Sequence, residues 1–93
     1  METMSQVKDL PVGAQPMFSV YDTRANMFWA PSPAVNAAVA LRSFREAAKS
    51  PESPVSRAPE DYELVHVGYW YAPEGKFFPC PHARLSRASD LLS

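Results

Sequence analysis

The sequence predicts an α+β fold: a small antiparallel sheet in ββαββ order, with one amphipathic helix packed on one face. Three observations carry that expectation. Two short runs of β-forming residues, 17–22 and 27–30, flank a turn-forming segment. A stretch rich in Ala, Leu, Arg and Glu follows, with prolines at both boundaries. The densest β-forming run of the chain, residues 61–71, comes after a proline-rich loop.

The elements follow in order. Met17, Phe18, Ser19, Val20, Tyr21 and Asp22 alternate and form the first strand. Asp22 and Asn26 bracket a turn, because Asp bonds its own backbone and Asn tolerates positive φ. Met27, Phe28, Trp29 and Ala30 pair back as the second strand, which Pro31 ends. Ser32 is placed to cap the helix, with Pro33 at its first position, where a missing N–H has no consequence. Over residues 34–49, Ala34, Ala37, Leu41, Phe44 and Ala48 share one face that packs on the sheet. Val35 and Val39 lie on the opposite face, in solvent. Ser50 and Pro51 stop the helix, and residues 51–59 are a loop.

In the third strand, Tyr62, Leu64, His66, Gly68 and Trp70 point one way, and Glu63, Val65, Val67, Tyr69 and Tyr71 the other. Gly68 marks a bulge or a close backbone approach. Residues 72–75 form a hairpin loop, and residues 76–79 a short fourth strand that ends at Pro79. The organisation is a leader over residues 1–16, one α+β domain over 17–81, and a weakly helical tail over 82–93.

Nine Lys and Arg against ten Asp and Glu give a net charge of −1. A dedicated nucleic-acid coating protein needs a basic excess, which is missing. The basic cluster of the chain is Arg84 and Arg87 with His82, and Asp90 offsets it. A single cysteine, Cys80, forbids an internal disulfide and fits a reducing compartment. No apolar run reaches transmembrane length, and the first fifteen residues lack a signal-peptide pattern. The expected location is the cytoplasm of the cell that makes the protein.

Candidate chemistry is sparse. Cys80, His82 and His66 fall short of a four-ligand zinc site and read as a half-buried cysteine and strand or tail histidines. Cys80 with a histidine lacks an accompanying elbow or oxyanion motif. Three glycines leave no phosphate-cradling loop. Glu60, Asp61 and Glu63 read as the solvated start of a strand. No catalytic residue, metal or cofactor is expected. The aromatic residues of the strands read first as core plus a self-association surface. Because one helix covers only one face of a sheet, Val65, Val67, Tyr69 and Tyr71 are the expected interface of a homodimer or of a partner. The second reading is base stacking on single-stranded DNA, with Arg24, Trp29, Lys76 and Arg84 as contacts.

Three segments in order carry a resemblance: residues 17–22, residues 40–44, and residues 59–64 with Gly68 and Gly75. Together they resemble the small nonstructural protein of gokushovirus-like microviruses, which are single-stranded DNA phages. The resemblance spans about residues 18–78. It departs at the front, where sixteen residues precede Met17 in this chain. It implies a non-enzymatic accessory protein of phage DNA replication, active in the host cytoplasm during the switch to single-stranded progeny DNA. Its implied partners are a phage or host replication protein and, weakly, single-stranded DNA. The alternative is a virion or assembly component that docks on a capsid protein.

Overall fold

The computed structural model describes residues 10–92. Its elements are β1 (Gln15–Asp22), β2 (Met27–Phe28), β3 (Ser32–Pro33), α1 (Ala37–Lys49), the single turn α2 (Pro54–Arg57), β4 (Tyr62–Tyr71) and β5 (Lys76–Arg87). Short 3-10 turns at Pro59–Asp61, Ala72–Glu74 and Ala88–Leu91 join or end them. The strands form one antiparallel sheet in the order β2-β1-β4-β5, with β3 also paired to β1.

The α+β class holds, and the ββαββ order is corrected to five strands among the described residues. The extra strand comes from the segment expected to start the helix. Beyond β2 the chain keeps running along the edge of β1: Trp29 N–H donates to the Val20 carbonyl at 2.8 Å, and Ala34 N–H to the Pro16 carbonyl at 3.1 Å. Ser32 and Pro33 lie opposite Phe18 and Met17. On an outer edge Pro33 needs no donor of its own. The helix cap therefore lies four residues later than expected, at Asn36 instead of Ser32. Asn36 Oδ1 accepts from Val39 N–H at 2.9 Å. The expected turn at residues 22–26 forms: Asp22 Oδ1 accepts from the backbone N–H of Arg24 and Ala25, and Asn26 has φ of 58°.

Ala40, Phe44 and Ala48 of α1 pack on Phe18 and Leu64 of the sheet. Leu41, expected on that face, is partly buried against this core, and Ala37 is exposed. The proline-rich loop contributes Val55, fully buried, from α2. Ser53 caps that turn through its Oγ, which accepts from Val55 N–H at 3.1 Å. Ala88, also fully buried, closes the core from the last 3-10 turn.

Irregularities in the strand pairing change which side chains share a face. Met17 pairs with Gly68 and Phe18 with His66, so Val67 is an extra residue of β4. Beyond it the alternation flips. Trp70 joins Met17, Val65, Val67 and Tyr21 on the face away from the helix, while the Tyr69 ring meets His66 on the helix side. The expected assignment of Trp70 and Tyr69 is therefore exchanged, because one inserted residue inverts everything downstream. On the other side of β4, Leu64 pairs with Ser86 and Val65 with Arg84, which leaves Leu85 as an extra residue of β5.

Gly68 shows both properties expected of it. It adjoins the bulge, and a Cβ built on it falls 2.5 Å from Phe77 Cζ and 2.6 Å from the Phe78 carbonyl oxygen. β5 itself runs on to Arg87, past Pro79 and Pro81, so a strand occupies the residues expected to start the tail. Pro79 and Pro81 lie on the outermost strand, where absent donors blunt pairing with other chains. Of the expected leader, residues 1–9 lie outside the described residues, and Gln15 and Pro16 belong to β1.

The sheet also curls. Phe28 on β2 and His82 on β5 approach to 5.1 Å between ring centroids. Three strand spacings separate those strands, about 14 Å in a flat sheet. Curling covers the face that the helix leaves open, and Val65 there is only 1% exposed.

Candidate nucleic-acid interface

The aromatic and charged chemistry of the sheet lies on the face away from α1, the concave side of the curl. The β1–β2 hairpin sets Phe28 opposite Tyr21, with ring centroids 4.5 Å apart. Tyr21 Oη donates to Asn26 Oδ1 at 3.0 Å, which holds the phenol against the turn. From the other edge His82 meets Phe28 edge-on. The guanidinium of Arg84 lies over the Tyr21 ring at 5.5 Å. Tyr21, Phe28 and His82 thus make a run of π-systems, and Phe28 keeps 43% of its surface in solvent.

Below this run sits Glu63, a residue only 7% exposed. It was expected at a solvated strand start; instead it pairs with two arginines. Its Oε1 lies 3.2 Å from Arg84 Nη1 and its Oε2 lies 3.6 Å from Arg87 Nη2. A buried carboxylate is stable only when paired, and these guanidinium groups supply the pairing. The spacing of Arg84 and Arg87 would send them to opposite faces of a regular strand. The unpaired Leu85 between them brings both to the Glu63 face. Asp90 lines the same shallow hollow of about 250 Å³.

The four DNA-contact candidates do not converge. Arg24 extends from the turn after β1, 3.8 Å from Asp61 Oδ2. Trp29 is on the helix side, 5.6 Å from the Tyr62 ring, and its carbonyl accepts from Ser19 Oγ at 2.6 Å. Lys76 sits over the Phe78 ring at the far end of the β4–β5 hairpin. The length of β4, about 30 Å at the rise of a strand, separates it from Arg24. Arg84 alone of the four belongs to the aromatic face. Of the four interface candidates, Val65 and Val67 are buried within the chain, and Tyr69 and Tyr71 are half-buried. Tyr69 does not share the face of the two valines.

Cys80 and His66 do come together, with Sγ 3.8 Å from Nδ1. Burial pushes the thiol up and the imidazole down, the latter partly offset by a hydrogen bond to the Gly68 backbone. Both shifts favour the neutral forms, the reverse of an activated thiolate–imidazolium pair. Among the described residues no three His, Cys, Asp or Glu side chains cluster to hold a metal. An apolar groove of about 280 Å³ lies between α1 and β1, lined by Phe18, Val20, Trp29, Ala40, Phe44 and Leu64. No helix among the described residues is long and apolar enough to cross a membrane.

Sequence reasoning missed Phe28, Glu63 and Arg87 as parts of one site. The signal was present in part, in the clustering of His82, Arg84 and Arg87. What it lacked was the fold that carries Tyr21 and Phe28 to them.

A family model described as Phage ORF5 protein matches residues 15–91. No curated protein and no solved structure matches the chain.

Proposed function

The chain belongs to the Phage ORF5 protein family, and from that premise we propose that it is a non-enzymatic accessory protein of phage DNA replication. In this reading it is the counterpart of the small nonstructural protein of gokushovirus-like microviruses. It works in the host cytoplasm during the shift to single-stranded progeny DNA. It acts through a phage or host replication protein and through weak binding of single-stranded DNA. The observation that carries the DNA part is the run of half-buried Tyr21 with exposed Phe28 and His82 beside Arg84 and Arg87. Bases stack on such rings without regard to sequence, and nearby cations meet the backbone. A net charge of −1 fits weak rather than saturating binding.

Titration of a labelled single-stranded oligonucleotide, followed by anisotropy at 20 mM and 150 mM salt, tests this. Binding in the micromolar range that weakens several-fold at the higher salt is expected. Absence of binding at 20 mM salt removes direct DNA recognition.

A second reading, a virion or assembly component, rests on exposed Met27, Trp29 and Val35, of which Trp29 lines the apolar groove. These suit a capsid-protein contact. Mass spectrometry of purified particles decides it, since absence from particles excludes a virion role. Self-association as a homodimer through the strand bearing Tyr69 and Tyr71 remains part of the proposal and is read by light scattering.

A further inference from the structure

The Glu63 arrangement goes further than an aromatic surface. Arg84 is fixed on two sides: its guanidinium is 3.2 Å from Glu63 Oε1 and lies over the Tyr21 ring. Glu63 Oε1 makes no aligned hydrogen bond, so the contact is an ion pair that does not use up the guanidinium donors. Arg87 is drawn to the other carboxylate oxygen. The side chains of Arg84 and Arg87 keep 64% and 50% of their surface in solvent, against 9% for Glu63. The carboxylate is thus beneath and the donors are above. Two guanidinium groups held beside one carboxylate leave N–H donors that can meet a phosphate as forks. Asp90, on the rim of the hollow, opposes an anion there and limits the affinity.

We propose that Glu63 is a positioning residue that holds Arg84 and Arg87 as a paired site for a backbone phosphate of single-stranded DNA, while the adjoining base stacks on Phe28 and His82. This deepens the DNA-binding reading above and rests on it. A nucleotide is the chemical unit that satisfies both halves, since its phosphate and base are held a few ångströms apart.

Glu63→Gln raises the net charge of the protein by one, and unspecific electrostatics then predicts tighter binding. If Glu63 orients the arginines, binding weakens instead. The probe is a fluorescein-labelled ten-nucleotide oligothymidylate, titrated by anisotropy with the full chain at several salt concentrations. Glu63→Gln is expected to bind at least fivefold more weakly than wild type. Its salt slope should be shallower by about 0.7, the value for one lost phosphate contact on a single strand. Glu46→Gln, the same charge change on the exposed side of α1, is expected to bind equally or more tightly. Near-ultraviolet circular dichroism establishes that each variant is folded.

If Glu63→Gln does not fold, the variant carrying both Arg84→Lys and Arg87→Lys replaces it. That variant keeps every charge and loses the forks, and at least threefold weaker binding is expected. Inorganic phosphate, added at constant ionic strength, should not displace the oligonucleotide; displacement at millimolar phosphate would assign the site to free phosphate and overturn the proposal. Wild-type affinity or better in Glu63→Gln, or in the double variant where that is used, overturns it while leaving DNA binding intact. No wild-type binding at low salt overturns both.

Discussion

Gly68→Ala is a sharp test of how the two long strands meet. The backbone of Gly68 is not in the left-handed region, unlike Gly13 and Gly75. Alanine at such a position usually stabilises by about 0.4–1 kcal/mol, because it restricts the unfolded chain. Here the added methyl carbon would lie 2.5 Å from Phe77 Cζ, 3.0 Å from Phe77 Cε1 and 2.6 Å from the Phe78 carbonyl oxygen. The ring can turn aside. The carbonyl cannot, because Phe78 is held in the ladder opposite Tyr69. Forcing a methyl group into filled space costs about 1–3 kcal/mol. That exceeds the gain, so a net loss of stability is expected. For a domain of this size each kcal/mol lowers Tm by roughly 4–8 °C. Thermal and urea unfolding followed by circular dichroism measure it. Repeating the substitution in a Phe77→Ala background separates the two contacts: most of the loss should persist, since the carbonyl remains. An alanine variant as stable as wild type, or full recovery in the double variant, would refute the close-approach argument.

Two further outcomes follow from the helix cap and the half-buried histidine. Asn36→Ala should cost about 1 kcal/mol in urea unfolding, and Ser32→Ala should change little, because Asn36 alone makes the capping bond to Val39; a larger loss at Ser32 would return the helix start to the earlier position. Burial lowers the pKa of His66 below 6.5, so the unfolded chain takes up a proton on acidification before the folded chain does. Stability therefore falls as pH drops from about 6.5 towards the lowered folded value, and His66→Gln should reduce the difference between urea midpoints at pH 7.5 and 5.5. An unchanged difference would assign the pH dependence to other groups.

Much of the architecture was legible because its signals are local. The Asp22–Asn26 turn depends on side chains bonding their own backbone, and Ser50–Pro51 stops the helix by direct steric conflict. Phe44 and Ala48 at helical spacing are buried as expected. The helix start was misplaced because Ser32 and Asn36 are both good caps. The pairing of Ser32 with Phe18 and of Pro33 with Met17, far back along the chain, chose between them. Of the site, Arg84 was anticipated with Arg24, Trp29 and Lys76, yet only Arg84 lies on the aromatic face. Glu63 looked solvated because its acidic neighbours hid its strand position, and because its arginine partners lie more than twenty residues downstream.

By itself the sequence determined the α+β class, the main strands and helix, the turn chemistry, and a glycine where the backbone has no room for a side chain. Only the tertiary structure decided the faces. Period-two alternation holds until a residue is inserted, and the insertions at Val67 and Leu85 exist only relative to the strands beside them. The first exchanged Tyr69 with Trp70; the second put Arg84 and Arg87 on the side of Glu63. Curling then closed over Val65 the face that a flat sheet and one helix would have left bare, because the outer strands approach each other only in the assembled sheet.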